Sequence, residues 1–227
     1  MQQTETLRIS ATTTSVPATL LLLYDIDDTV VIPVWQSSIK RFIDIAIALP
    51  ALIFLLPLLA YVAIRTKLSS KGNIIYSQVR IGYKGKRFYI HKFRSMYADA
   101  EKNGPLLSSE NDARITRWGK IMRKWRLDEL PQLWNILKGE MSFVGPRPER
   151  GYYINEINKH TPYFYYLLKT KPGLTSSGMV QFGYASNVEE MIERMQYDLA
   201  YVKNFSLMLD FKIMLRTLRT ILSGKGK

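Results

Sequence analysis

Apolar and polar positions are unevenly spread along this chain. Residues 1–19 are polar, rich in Thr and Ser and without periodicity, and read as a disordered tail. Residues 20–35 open with LLLLYDIDDTVV and read as a short strand or loop. IAIALPALIFLLPLLAYVAI, residues 45–64, then supplies twenty apolar residues without a charge. As a straight helix this run measures about 30 Å, the thickness of a bilayer's hydrocarbon core. It is apolar on every face, which sets it apart from an ordinary surface helix. Pro50 and Pro57 interrupt it, and each removes a backbone donor and kinks a helix. Lys40 and Arg41 precede the run; Arg65, Lys67 and Lys71 follow it. Basic flanks on both sides suit a helix that enters, bends and returns to one face. A plain kinked span fits the hydropathy equally well.

Past this run the pattern shortens to period two. IIYSQVR (74–80) and RFYIHKF (87–93) flank IGYKGK, whose glycines suit a turn, and the three predict a hairpin. Residues 97–113 read as loop. A basic helix is expected over 116–124. LPQLWNILKG follows as a second helix, with Pro131 in its first turn and Gly139 just past its end. Two further helices are expected over 187–203 and 207–222; the last mixes Leu, Met and Phe with Lys212, Arg216 and Arg219.

Composition narrows the partners. The 227 residues carry a formal charge of +13, which favours anionic partners: nucleic acid, anionic lipid or phosphorylated small molecules. There is no cysteine, hence no disulfide, thiolate metal site or Cys nucleophile. Two histidines, His91 and His160, are too few for a His-rich metal centre. The short apolar stretch at 16–23 lacks a basic leader and is not expected to be a signal peptide.

Two acidic motifs compete for chemistry. Asp25, Asp27 and Thr29 resemble the opening motif of haloacid-dehalogenase-type phosphatases, in which the first Asp is a phosphoryl acceptor. Asp128 and Glu129 stand at the predicted start of a helix, downstream of Arg114, Arg117, Arg123, Lys124 and Arg126. An ionised carboxylate attacks phosphorus without a base, and cations nearby steady the phosphoryl oxygens. Asp and Glu at a helix start also serve as simple caps. In SFVGPRPE (142–149), Pro146 and Pro148 hold Arg147 in a stiff loop, where it either clamps phosphate or is merely solvated. Lys92 and Arg94, in HKFRSM, share one strand face and are candidate phosphate ligands or solvated charges.

Taken in order, KRFIDIAIALPALIFLLP, SQVRIGYKGKRFYIHKFRSM, RITRWGKIMRKWRLDELPQLWNILKGEMSFVGPRPE, KPGLT and YDLAYVKNFSLMLDFKIMLRT are far more specific than any one of them. Together they closely resemble the bacterial sugar transferases known as monotopic polyprenyl-phosphate phosphoglycosyl transferases, over residues 39 to about 222. The resemblance implies transfer of a sugar 1-phosphate from a UDP-sugar to polyprenyl (undecaprenyl) phosphate, with release of UMP and initiation of a surface glycan. It implies Asp128 as nucleophile, Glu129 as the neighbouring acid, and Mg2+ held at this pair. Arg147 is implied at the nucleotide-sugar, with Arg123, Lys92 and Arg94 as further substrate ligands. The family's apolar helix is re-entrant and broken at a Ser-Pro. Here Pro57 matches, Leu56 replaces the Ser, Pro50 adds a break, and Lys40 and Arg41 are expected to anchor the helix at the membrane surface. KPGLTSSG departs from the more usual Thr-Gly after Pro-Gly.

The expected architecture is α+β and mainly helical, a monotopic membrane protein with a small β-hairpin and amphipathic interfacial helices. Its expected divisions are an N-terminal extension (1–38), the re-entrant helix (39–67) and a cytoplasmic membrane-surface catalytic domain (68–227). The expected place is the bacterial inner membrane, catalytic domain on the cytoplasmic face. Expected partners are the UDP-sugar, the polyprenyl phosphate, the bilayer, a second copy of the chain and downstream glycosyltransferases, but no nucleic acid. Since the chain downstream of Asp25 matches another family, DIDDT reads as coincidence.

Overall fold

A computed structural model describes residues 32–102, 104–108 and 112–224, so Asp25 and Asp27 lie outside the described residues. Helix α1 (Val34–Phe54) begins inside the segment expected to be an extension, and α2 (Leu56–Ser69) follows at a 63° bend. The break falls at Leu55, whose N–H still donates to the Ala51 carbonyl at 2.9 Å. Two residues on, Pro57 has no N–H to offer Ile53 and sits in the first turn of α2, where a proline is tolerated. Pro50, expected as a second break, is instead carried inside α1. No single described helix is long and apolar enough to cross a membrane; the bent pair together meets that test by length and composition.

The pair touches the rest of the molecule along narrow stripes. In α1 the buried residues are Lys40, Asp44 and Ala48, each four apart and therefore on one face. Ala48 packs with Phe88, Ile90, Leu133, Ile136 and Met141. In α2, Val62 packs with Phe93, Trp118 and Met122. Most of the remaining large side chains on both helices are exposed, Phe42, Phe54, Ile64 and Leu68 among them.

Strands β1 (Ile75–Ile81) and β2 (Arg87–Phe93) form the expected antiparallel hairpin, in register from Ile75↔Phe93 to Ile81↔Arg87. Helix α3 (Arg117–Lys124) is capped by the Thr116 side chain, which accepts from Gly119 N–H at 2.8 Å. Helix α4 (Gln132–Lys138) ends at Gly139, whose φ of 80° is left-handed and suits glycine. Short strands β3 (Ser142–Val144) and β4 (Gly173–Thr175) pair in parallel. Between and after them come α5 (Gly151–Asn158), α6 (Phe164–Leu167), α7 (Ser177–Gln181), α8 (Val188–Lys203) and α9 (Leu207–Leu222). The main core lies here, with Tyr153, Ile157, Leu167, Met191, Leu199 and Ile213 among its members.

The two expected membrane anchors have other work. The Lys40 ammonium is buried against Asp210 on α9, and Asp210 also accepts from the Tyr201 hydroxyl at 2.7 Å. The Arg41 guanidinium donates to the carbonyls of Ile136 and Leu137, the last turn of α4, where orphan carbonyls need donors. Asp44 accepts from the Ser142 hydroxyl at 3.0 Å and from Phe143 N–H at 3.1 Å. These charges bolt α1 to the domain, so the contacts that Lys40 and Arg41 make in the structure are with protein. Lys40 and Asp44 are buried and Arg41 is half-buried, and each finds its partners within the protein.

Candidate active site

The acidic pair sits in a 3-10 turn, Leu127–Glu129, between α3 and α4. The preceding residue, Arg126, has φ 54° and ψ 26°, a left-handed conformation that costs a non-glycine residue about 1–3 kcal/mol. Its side chain explains why the conformation holds. The guanidinium donates to Glu129 Oε2 at 2.9 Å and lies 5.5 Å from the Tyr184 ring centre. Lys92, from strand β2, donates to the other oxygen of Glu129 at 2.6 Å. Glu129 is therefore clamped by two cations, one on each oxygen.

Asp128 differs. It is 7% exposed, and no hydrogen bond from the described protein reaches its carboxylate. Burial raises its pKa, and the neighbouring Glu129 charge adds to the rise; Lys92, Arg123 and Arg126 pull it back. For Glu129 burial works the same way, but Lys92, Arg126 and Arg147 overcome it and hold the group well below the usual carboxylate range. Thus Glu129 carries a charge paired on both oxygens, while the Asp128 carboxylate has no donor among the described residues.

Both face an open cavity of about 260 Å³. Arg123 is on its wall, held by Nε–H to the Ser95 hydroxyl (2.9 Å) and by a second bond to the Ser108 hydroxyl (2.7 Å). Arg147 enters from the Pro146–Pro148 loop and lies 5.8 Å from the Tyr184 ring centre. That loop is held by close approach. A Cβ on Gly145 would stand 2.2 Å from the Lys171 carbonyl oxygen, so KPGLT is the backbone on which the arginine loop rests. Lys92, Arg123 and Arg147 are thus brought to one cavity with Asp128 and Glu129. Arg94 also borders the cavity, but its guanidinium donates to the carbonyls of Asn73, Thr66 and Ser70 and so closes the C-terminal end of α2. Its terminal nitrogens go to backbone while its Nε is buried without an acceptor, so the contacts it makes in the structure are structural ones.

Several cavity residues were not singled out from the sequence: Arg80, Glu149, Tyr184 and Arg194. The alternation of SQVRI offered a signal for Arg80, and the Glu of PRPE one for Glu149. Tyr184 and Arg194 come from the far C-terminal half, where only the fold shows that they meet the rest.

Two carboxylates set side by side suit a divalent cation that takes its remaining ligands from substrate. Mg2+ is commonly held by one or two carboxylates together with phosphate oxygens. The described residues contain no cluster of three or more His, Cys, Asp or Glu that would hold a metal unaided. The unbonded Asp128 fits such a cation better than Glu129, whose oxygens are already engaged.

Comparison with known proteins bears on most of the chain. A family model described as bacterial sugar transferase matches residues 35–224. A UDP-N-acetylgalactosamine-undecaprenyl-phosphate N-acetylgalactosaminephosphotransferase of Aeromonas hydrophila is 40% identical over 190 residues, covering 84% of this chain and 45% of that protein. A UDP-glucose:undecaprenyl-phosphate glucose-1-phosphate transferase of Klebsiella pneumoniae is 35% identical over 202 residues, covering 85% and 43%. A protein of Streptococcus agalactiae serotype III named galactosyl transferase CpsE is 36% identical over 198 residues, covering 82% and 43%. The chain therefore spans less than half the length of these relatives.

Proposed function

The chain belongs to the bacterial sugar transferase family, and from that premise we propose that it moves a sugar 1-phosphate from a UDP-sugar to undecaprenyl phosphate, releasing UMP and starting a glycan. The single observation that carries this reading is the asymmetry of the acidic pair. One carboxylate is locked by Lys92 and Arg126; its neighbour is buried, unbonded and turned to a cavity lined with cations.

In the proposed reaction an Asp128 carboxylate oxygen attacks the sugar-bearing phosphorus. The bond from that phosphorus to the bridging oxygen breaks, and UMP departs with the electron pair. The resulting acyl phosphate keeps much of the anhydride's free energy. An oxygen of the lipid phosphate then attacks the same phosphorus and returns Asp128 as a carboxylate. Lys92 and Arg126 keep Glu129 ionised and fix the turn that presents Asp128. Arg123 and Arg147 face the phosphoryl oxygens, where fixed positive charge lowers the barrier. Asp128, with Glu129 beside it, would hold Mg2+, which neutralises diphosphate charge when bound.

The membrane reading rests on the bent pair. Its outer face exposes large apolar side chains over both helices, more than an ordinary soluble surface carries. On α9, Phe211, Leu215 and Leu218 are exposed beside Lys212, Arg216 and Arg219, a composition suited to lying in the headgroup layer. We place the pair as a re-entrant hairpin of helices, with the catalytic cavity at the cytoplasmic surface of the inner membrane.

The experiment is UMP release by the purified full chain, with undecaprenyl phosphate and Mg2+, from a panel of UDP-sugars. Release from at least one donor is expected. No release from any donor would leave a membrane-bound member of the family without transferase activity.

A further inference from the structure

A second cluster borders the same cavity, beyond the acidic pair. Three guanidiniums from three distant segments converge on one carboxylate: Arg80 from β1, Arg147 from its loop and Arg194 from α8 all face Glu149. Arg194 approaches Glu149 Oε1 at 2.6 Å, Arg80 approaches Oε2 at 3.4 Å, and Arg147 Nε stands 3.9 Å from Oε1. Glu149 and Arg194 are both about nine-tenths buried or more. Asp198 adds a second negative charge nearby, but it accepts from the backbone N–H groups of Gly178 and Arg147, at 2.7 and 3.3 Å.

The cation excess is costly as it stands. A buried charge needs a partner, and one carboxylate cannot satisfy three guanidiniums. Arg80 spends its terminal nitrogens on the Pro148 carbonyl (3.1 Å), Gln78 Oε1 (2.7 Å) and Glu149, and its Nε is left buried without an acceptor. Burial lowers the pKa of Arg80 to about 10, with only partial relief from Glu149, and lowers that of Arg194 in the same sense. The planar fork of arginine matches phosphate oxygens in pairs. Three guanidiniums bordering one cavity, gathered on a single carboxylate, give an excess of positive charge that suits a tetrahedral dianion.

We infer that Arg80 and Arg194, together with Arg147 and held in place by Glu149, form a binding station for a phosphate monoester dianion beside the acidic pair. The inference rests on the proposed transferase reading and adds two substrate-contacting arginines to it. Two molecules share this chemistry: the UMP that leaves and the lipid phosphate that arrives.

The test is binding to the full chain in detergent, without any sugar donor. UMP and phosphate-free uridine are titrated into the parent, Arg80→Lys, Arg80→Gln and Arg194→Gln. The parent should prefer UMP over uridine, and each Gln variant should lose at least about tenfold of that preference, the worth of one charge-assisted bond or more. Arg80→Lys keeps the charge and the pair with Glu149 while losing the fork. It should lose preference too, by about threefold or more, and it decides the matter if a Gln variant fails to fold. An unchanged UMP preference in the variants that fold would overturn the station and leave the arginines as props for the loop. Displacement of UMP by undecaprenyl phosphate would assign the station to both molecules; no displacement would assign it to the nucleotide. Failure of the transferase reading is seen separately, as a parent that binds UMP through Arg80 yet releases none from any UDP-sugar.

Discussion

At the scale of single residues, the site turns on how two adjacent carboxylates are made unequal. Asp128 and Glu129 are neighbours in sequence and equally buried, yet only Glu129 has cations on both oxygens. LDELPQ identified the pair in the sequence, but not which member is clamped, since Lys92 lies 37 residues away. The contacts of Arg94 were hidden for a related reason. Strand alternation puts Lys92 and Arg94 on one face, but β2 ends at Phe93 and Arg94 turns to the end of α2. Arg147 was legible because prolines on both sides announce a stiff loop. Replacing it with Ala should weaken use of the UDP-sugar by roughly ten- to a hundredfold, the worth of one charge-assisted contact. Apparent donor and lipid affinities, measured separately, check this. An unchanged donor affinity with a damaged lipid affinity would contradict the role.

Among elements, the hairpin, the helix over 207–222 and the Gly139 stop followed directly from periodicity and turn chemistry. The parallel pairing of β3 with β4 did not, because three-residue strands carry no period. Nor did the stripe of Lys40, Asp44 and Ala48, whose partners lie as far away as α9. That stripe gives a prediction. Lys40→Met should destabilise the fold by roughly 3–5 kcal/mol, because it strands a buried Asp210, and adding Asp210→Leu should recover part of the loss. Thermal unfolding of the single and double variants in detergent decides it. A Lys40→Met chain of normal stability that leaves the membrane more easily would restore Lys40 as a lipid anchor. Asp198 ties α8 to α7 and to the arginine loop, and burial raises its pKa to about 6 from the ordinary 3.8. The folded state thus holds this proton more tightly than the unfolded chain. Its contribution is fully present below about pH 4 and is lost as pH rises through about 6, by roughly 2–3 kcal/mol. Asp198→Asn should remove that slope. Unfolding midpoints of parent and variant between pH 4 and 7 should diverge accordingly; parallel curves would refute the assignment.

For the whole molecule, the apolar run of 45–64 was the plainest sequence feature, and it divides into α1 and α2 at a 63° bend, a shape that fits a broken span or a re-entrant loop. The proline that matters is Pro57, at the head of α2, while Pro50 is absorbed within α1. The proposed topology keeps both ends of the pair on the cytoplasmic side. In this cysteine-free chain, Ser38→Cys and Lys71→Cys should each resist an impermeant thiol reagent in intact cells and react after lysis. Labelling of position 38 from outside would show a span and end the re-entrant model. The central claim, though, is covalent chemistry at Asp128, and the mass of the intact chain tests it most directly. The full chain, given a UDP-sugar that supports UMP release and Mg2+ but no lipid acceptor, should gain the mass of one sugar phosphate. Asp128→Asn should gain nothing, and undecaprenyl phosphate should discharge the parent's adduct. A parent that turns over with lipid yet never gains that mass, or an Asp128→Asn chain that gains it as readily, would contradict the account.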